Sequence, residues 1–159
     1  MSMYSSPMSH RVKHEVRHKT QTKKYTCGPT CLEMLCDFYD ISHDPEMLEE
    51  LCGAGEKHGT NNEDLVQAAR SLGVNAVARE NATIDDIIDA LHAGHPVVVN
   101  YFNPLSKLGH FGVVKGIEND VLILADPKNG DDFQLPVDEF SSLWHSHDKT
   151  IKGWMMHLV

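Results

Sequence analysis

Two hydrophobic rhythms run along the chain. From Pro29 to Tyr39, Leu32, Leu35, Cys36 and Tyr39 recur at three- and four-residue spacing, which marks one buried face of a helix. Pro29 fits a first helical turn, where its missing N–H costs nothing, so this helix is predicted to begin at Gly28–Pro29. Asp44-Pro45 opens a short second helix through Leu51. Thr60, with Glu63 three residues on, reads as a capping box for a third helix that runs to Ser71 and stops at Gly73. Thr83 and Asp86 cap a fourth over 84–92, closed by Gly94.

Elsewhere the rhythm is that of strands. Val12, His14, Val16 and His18 alternate with charged neighbours, which predicts an edge strand. Val74–Ala78, Pro96–Tyr101, Phe111–Ile117 and Val121–Ala125 are short apolar runs, and Glu118-Asn119-Asp120 reads as the turn between the last two. Phe140 to Trp144 reads as one helical turn and Gly153 to Val159 as a last strand. Helices dominate the first half and strands the second, an α+β order and not a βαβ alternation.

At 159 residues, 41% hydrophobic and 23% charged, the chain can bury one core but not two. No repeat or linker interrupts it, so a single domain is expected over 12–159 after an unstructured segment, 1–11. No apolar run approaches the ~20 residues of a membrane span. The first residues lack the apolar stretch of a secretory signal, so a cytoplasmic chain is expected.

The net charge of -9 argues against nucleic acid as a partner, because phosphate backbones require positive surface. That charge is uneven. Residues 10–24 hold six of the 14 Lys/Arg (Arg11, Lys13, Arg17, Lys19, Lys23, Lys24) against Glu15 alone, ahead of a body with 22 acidic and eight basic residues. Such an arm either folds back on the acidic body or offers a docking patch to an acidic partner. His10, His14 and His18 would share a metal-binding face on a helix, but their alternation is that of a strand. His145-x-His147 reads as a surface loop. No metal and no cofactor is expected.

Four cysteines without a secretory signal do not read as a disulfide framework, and without a C-x-x-C pair they do not read as zinc ligands. One is placed to react. Cys27 falls at the mouth of the first helix, where unpaired N–H groups and the positive dipole end favour a negative sulfur. Cys31 and Cys36 lie further along that helix and, with Cys52, read as structural thiols.

A nucleophile needs a base and a group to orient the base. His110 opens one predicted strand and Asp126 closes the next. If the hairpin between them turns on a residue, the two share a face and lie within reach of each other. Asp126 would hold the His110 ring, and His110 would meet the Cys27 sulfur at about 4 Å. Gln21, six residues before Cys27, supplies a side-chain amide suited to an oxyanion hole. Phe102, Phe111 and Trp144 read as core, although the loop from Phe102 to Leu108 directly precedes the base and is placed to line a cleft.

The run Gln21…Cys27-Gly28-Pro29-Thr30-Cys31-Leu32-x-Met34 resembles the start of family C39 peptidases, the papain-like cysteine proteases known for removing double-glycine leader peptides. Gly59-Thr60, Gly94-His95-Pro96-Val97-Val98, Gly109-His110-Phe111-Gly112-Val113-Val114 and Asp126-Pro127 follow in the family's order, over roughly residues 12–145. The resemblance implies a papain-like fold, a helical half packed on an antiparallel sheet. It also implies hydrolysis of a peptide or protein substrate after a small-residue or double-glycine motif. The implied roles are Cys27 as nucleophile, His110 as general base and acid, Asp126 as its orienter and Gln21 in the oxyanion hole. The best-known members are fused to a membrane span and an ATPase; this sequence carries no span and no G-x-x-x-x-G-K-[ST] loop. Two other functions suit the same residues: a catalytically silent peptide-binding module, and an acyl or peptidyl transferase that hands the thioester to an amine.

Overall fold

The computed structural model describes residues 10–57 and 59–159. In chain order the elements are β1 (Arg11–Lys13), α1 (Cys27–Phe38), α2 (Pro45–Leu51), α3 (Asn62–Ser71), β2 (Ala76–Arg79) and α4 (Ile84–His92). There follow β3 (Val97–Asn103), β4 (Leu108–Glu118), β5 (Val121–Asp126), β6 (Gly130–Pro136), α5 (Val137–Leu143) and β7 (Met155–Leu158). The strands form one sheet in the order β2-β7-β3-β4-β5-β6, and β1 pairs with the far end of β4. Every pairing is antiparallel. This is the α+β architecture that the sequence predicts, with helices packed on an antiparallel sheet.

Apolar side chains pack both faces of the sheet. On one, Leu32, Leu35 and Cys36 of α1 and Leu65 and Ala69 of α3 meet Val98, Phe111, Val113 and Met156. On the other, Ile87 and Leu91 of α4 and Phe140 of α5 meet Val97, Val99, Val114 and Leu124. Among the described residues, no helix is long and apolar enough to cross a membrane.

Local chemistry explains where prediction and structure part. Thr83 and Asp86 form their capping box as read. The third helix is capped by Asn61, whose Oδ1 accepts from the Asp64 N–H at 2.8 Å, and not by Thr60. Thr60 is instead buried against Gly28. The N-terminal strand is shorter than its alternation suggested. After Lys13 the chain leaves the ladder while still burying alternate side chains, with Val16 in the core and His14 Nε2 bonded to the Leu91 carbonyl at 2.7 Å. Within the segment expected to be unstructured, Arg11 belongs to β1 and His10 lies against His92. Strand β6 escaped prediction because Gly-Asp-Asp opens it and only Phe133 and Leu135 mark its inward face.

The basic segment folds back on the body. Arg11 pairs with Glu118, Lys13 with Asp132, Lys19 with Glu33 and Asp37, and Lys23 with Glu49. Four of its six cations thus face the chain's own carboxylates.

The β4–β5 hairpin departs from the expected geometry in an instructive way. Glu118 faces Val121, so the turn centres between Asn119 and Asp120 and not on a residue. Unbroken, that register would pair Asp126 with Val113 and put it on the opposite face from His110. A bulge at Lys115 inserts one extra residue, so that Gly116 faces Ile123 while Val114 faces Leu124. Beyond it Asp126 lies on the face of Gly112 and His110.

Gly116, beside the bulge, lets β1 close on β4. A Cβ there would lie 2.6 Å from the Val12 carbonyl oxygen and 2.9 Å from the Lys13 Cα. Backbone cannot yield as a flexible side chain can, so Gly116→Ala should cost about 1–3 kcal/mol by overpacking. Urea denaturation should show the loss, and an unchanged midpoint would refute this account of the contact.

Candidate active site

The site is built where the open end of the β3–β4–β5 meander meets the start of α1. Asp126 closes β5 and is fully buried, with every carboxylate contact accounted for. Its Oδ1 accepts from His110 Nε2 at 2.7 Å and from the Lys128 and Asn129 N–H groups at 3.0 and 2.9 Å. Its Oδ2 accepts from the Tyr101 hydroxyl at 2.6 Å. Gly112 leaves room for this carboxylate: a Cβ there would lie 3.0 Å from Oδ2.

Cys27 is the first residue of α1 and is partly exposed. Thr26, which precedes it, turns its hydroxyl back to the Lys23 carbonyl at 3.0 Å instead of capping the helix, and the first turn holds no acidic residue. The N–H groups at the helix mouth therefore face the cleft without a side-chain cap. Gly28 lets the neighbouring walls come close; a Cβ there would lie 3.0 Å from Thr60 Cβ and 3.3 Å from the Phe111 ring.

The His110 ring interacts with both partners. Burial pulls its pKa down, but hydrogen bonds to Asp126 and Cys27, and the charges of those groups, raise it to about 9. Burial pushes the Asp126 carboxyl up, yet the hydrogen bond and charge of His110, then Tyr101 and the Asn129 N–H, hold it below the ordinary carboxylate value. The favoured state is an imidazolium beside a carboxylate. The other three thiols are fully buried. Burial pushes Cys31 well above its ordinary value, Cys36 to about 11 and Cys52 to about 12, so they stay protonated.

Gln21 is tied to the same region through its backbone, whose N–H donates to the Pro127 carbonyl at 3.0 Å. Its side-chain Nε2 donates to the carbonyls of Lys23 and Lys24 at 2.8 and 3.2 Å, and its buried Oε1 has no partner among the described residues. Of the four residues singled out in the sequence, three are brought together, and the fourth lies on the adjoining loop with its amide turned to that loop's carbonyls. Phe111 and Trp144 are buried, as read. Phe102 stacks on His145, with centroids 5.2 Å apart, at the root of a hairpin whose Leu105 and Leu108 are exposed.

Sequence reading missed Tyr101, Asn129 and His18. Tyr101 is the cross-strand partner of His110, and Asn129 Nδ2 donates to its hydroxyl at 3.2 Å. His18 Nε2 bonds the Asp126 carbonyl at 2.7 Å. A tyrosine at the end of a predicted strand carries no chemical signal until its cross-strand neighbour is known.

A papain-like sheet and helix with a cysteine, a histidine and an aspartate at their junction define a class of cysteine-peptidase-like domains. The model of the Peptidase C39 family matches residues 15–148, and the chain belongs to that family. Several solved structures share the fold. A double glycine motif protease from an AMS/PCAT transporter, in complex with the leader peptide, is 21% identical with a TM-score of 0.74, over 94% of this chain and 96% of that one. The peptidase domain of Streptococcus ComA, a bi-functional ABC transporter involved in a quorum-sensing pathway, is 24% identical with a TM-score of 0.75, over 92% and 98%. A C39-like peptidase from Bacillus anthracis is 18% identical with a TM-score of 0.79, over 95% and 98%. No curated protein matches.

Position and burial set an order of reactivity among the thiols. Iodoacetamide at about pH 6 to 7 should modify Cys27 well before Cys31, Cys36 or Cys52, and His110→Ala should slow that reaction. Peptide mapping that finds Cys31 or Cys52 alkylated first would overturn the assignment.

Proposed function

We propose that this chain is a cysteine peptidase that cleaves a peptide bond through a thioester on Cys27. The observation that carries this reading is the His110 ring, hydrogen-bonded to buried Asp126 and near enough to Cys27 for that thiol to raise the His110 pKa. With Nε2 committed to Asp126, Nδ1 is the nitrogen that takes the thiol proton. The sulfur attacks the scissile carbonyl. His110 then protonates the leaving amine, and in the second half-reaction it draws a proton from the water that hydrolyses the thioester.

The negative oxygen of each tetrahedral intermediate would lie at the mouth of α1, against the Cys27 N–H and the Gln21 amide. The Gln21 amide has a bond to exchange there: its 3.2 Å contact with the Lys24 carbonyl is the longer of its two. The family, together with relatives described as a double glycine motif protease bound to a leader peptide, supports a peptide substrate with small residues before the cut. Four free thiols suit a reducing compartment, and the cytoplasm is the proposed location.

Internally quenched peptides with a Gly-Gly cleavage site should be cut by the wild type and not by Cys27→Ala. Retained cleavage in that variant, or none by the wild type across a peptide library, would remove the reading. Gln21→Ala should lower kcat by ~10²–10³ with little change in KM. Asp126→Asn should be milder. Its Oδ1 can still accept from His110, and the Tyr101 hydroxyl can turn to accept from the new amide. Wild-type kinetics in Gln21→Ala would exclude Gln21 from the oxyanion hole.

The proposed acid must carry its proton to the leaving amine. Because His110 holds that proton up to about pH 9, kcat/KM should persist through neutral pH and fall as pH rises through that value. A basic limb near the ordinary histidine value of about 6.5 would contradict the imidazolium.

A further inference from the structure

Tyr101 is buried among apolar side chains on the α4–α5 face, with Phe140 6.1 Å away between centroids. Core packing alone would be met by phenylalanine, which fills the same space without a hydroxyl to satisfy; a buried hydroxyl is costly unless bonded. The hydroxyl here is bonded twice, in a defined direction. Ionised Asp126 can only accept, so the 2.6 Å contact with Oδ2 is a donation by tyrosine. The 3.2 Å contact with Asn129 Nδ2 is then one that the hydroxyl accepts. Burial, with Asp126 beside it, pushes the Tyr101 pKa far above its ordinary value, so the O–H donor persists at any working pH.

The ring has a second contact. Tyr101 faces His110 across the β3–β4 ladder, and the two rings meet edge to face, 5.5 Å apart and at 88°. One side chain thus touches both the imidazole and the carboxylate behind it.

Resting on the reading of Cys27, His110 and Asp126 as the catalytic groups, we propose that Tyr101 is a positioning residue for peptide cleavage. Its hydroxyl, held by Asn129, pins Oδ2 so that Oδ1 must face His110, and its ring sets the tilt of the imidazole toward Cys27. The donations run one way: from Asn129 to Tyr101, from Tyr101 to Asp126, and from His110 Nε2 to Asp126. That direction keeps a proton on Nε2 and leaves Nδ1 for the thiol. Without the hydroxyl, Oδ2 has no donor in a site closed to water, and the carboxylate is held through Oδ1 alone.

Tyr101→Phe keeps the ring and removes the donor. With a Gly-Gly quenched peptide, kcat should fall roughly 10- to 100-fold while KM stays near its wild-type value. The Tyr101→Phe/Asp126→Ala double variant should be no slower than Asp126→Ala, because Tyr101 acts through that carboxylate. A third readout needs no substrate: in ¹³C-labelled protein the Asp126 carboxyl should titrate at higher pH in Tyr101→Phe than in the wild type, since a donor to its ionised form is gone. An unchanged kcat, losses that add in the double variant, or an unmoved carboxyl titration would each overturn the proposal. If Tyr101→Phe does not fold, Asn129→Ala removes the outer donor from an exposed position and should move kcat and the carboxyl titration the same way; no movement there overturns the proposal equally. Failure of the peptidase reading shows separately, as wild type and Cys27→Ala being alike on the peptide.

Discussion

One inserted residue decides which face of the sheet carries the carboxylate. Because side chains alternate along a strand, partners across a hairpin share a face only if the register has the right parity. The β4–β5 turn, with Glu118 facing Val121, has the wrong parity for His110 and Asp126. The bulge at Lys115 corrects it. Lys115 is itself buried, and its ammonium is held by Asp131 and Asp132 across the sheet, which fixes the bulge in place. Val113 and Ala125 are then free to face α1, while Gly112 yields its side-chain space to Asp126.

Placing that carboxylate where water cannot reach it raises a second constraint. An isolated buried charge is strongly disfavoured and would take up a proton. Asp126 avoids this by collecting four donors: two backbone N–H groups of the 126–130 turn, one tyrosine and one histidine. The same contacts reach back to the nucleophile. His18 bonds the Asp126 carbonyl, and the Gln21 N–H bonds the next carbonyl, of Pro127. The segment leading into α1 is therefore strapped to the end of β5 six residues before Cys27. Helix and sheet are not independent walls of the cleft; a short stretch of chain ties them together.

Much of this was legible in the sequence, for identifiable reasons. Helix α1 shows itself because a single apolar stripe packs on the sheet, and Cys27 because Pro29 fixes where that helix begins. His110 and Asp126 stand out as polar residues at the ends of apolar runs. What stayed hidden depends on partners remote in sequence. Tyr101 acquires its meaning from the strand opposite, and Asn129 from Tyr101. The bulge leaves no mark, since a lysine inside an apolar run looks like an ordinary outward residue until its carboxylates are found. Thr60 was mistaken for a cap because Thr-x-x-Glu fits the pattern, but a residue that must pack on Gly28 cannot also turn toward the start of α3.

The contrast between Cys27 and Cys31 shows how little separates a reactive thiol from an inert one. They are one helical turn apart on α1. Cys31 is sealed in the core beside Leu32 and Leu35, where desolvation penalises a negative sulfur and the charges of Cys27 and Asp126 add to the penalty. Cys27 stands one turn higher, at the surface, with uncapped helix N–H groups and a protonated imidazole beside it. Burying a thiol here and exposing one there is a consequence of where the helix ends, and Gly28-Pro29 sets that end. The chemistry of the site thus follows from the same residues that start the helix.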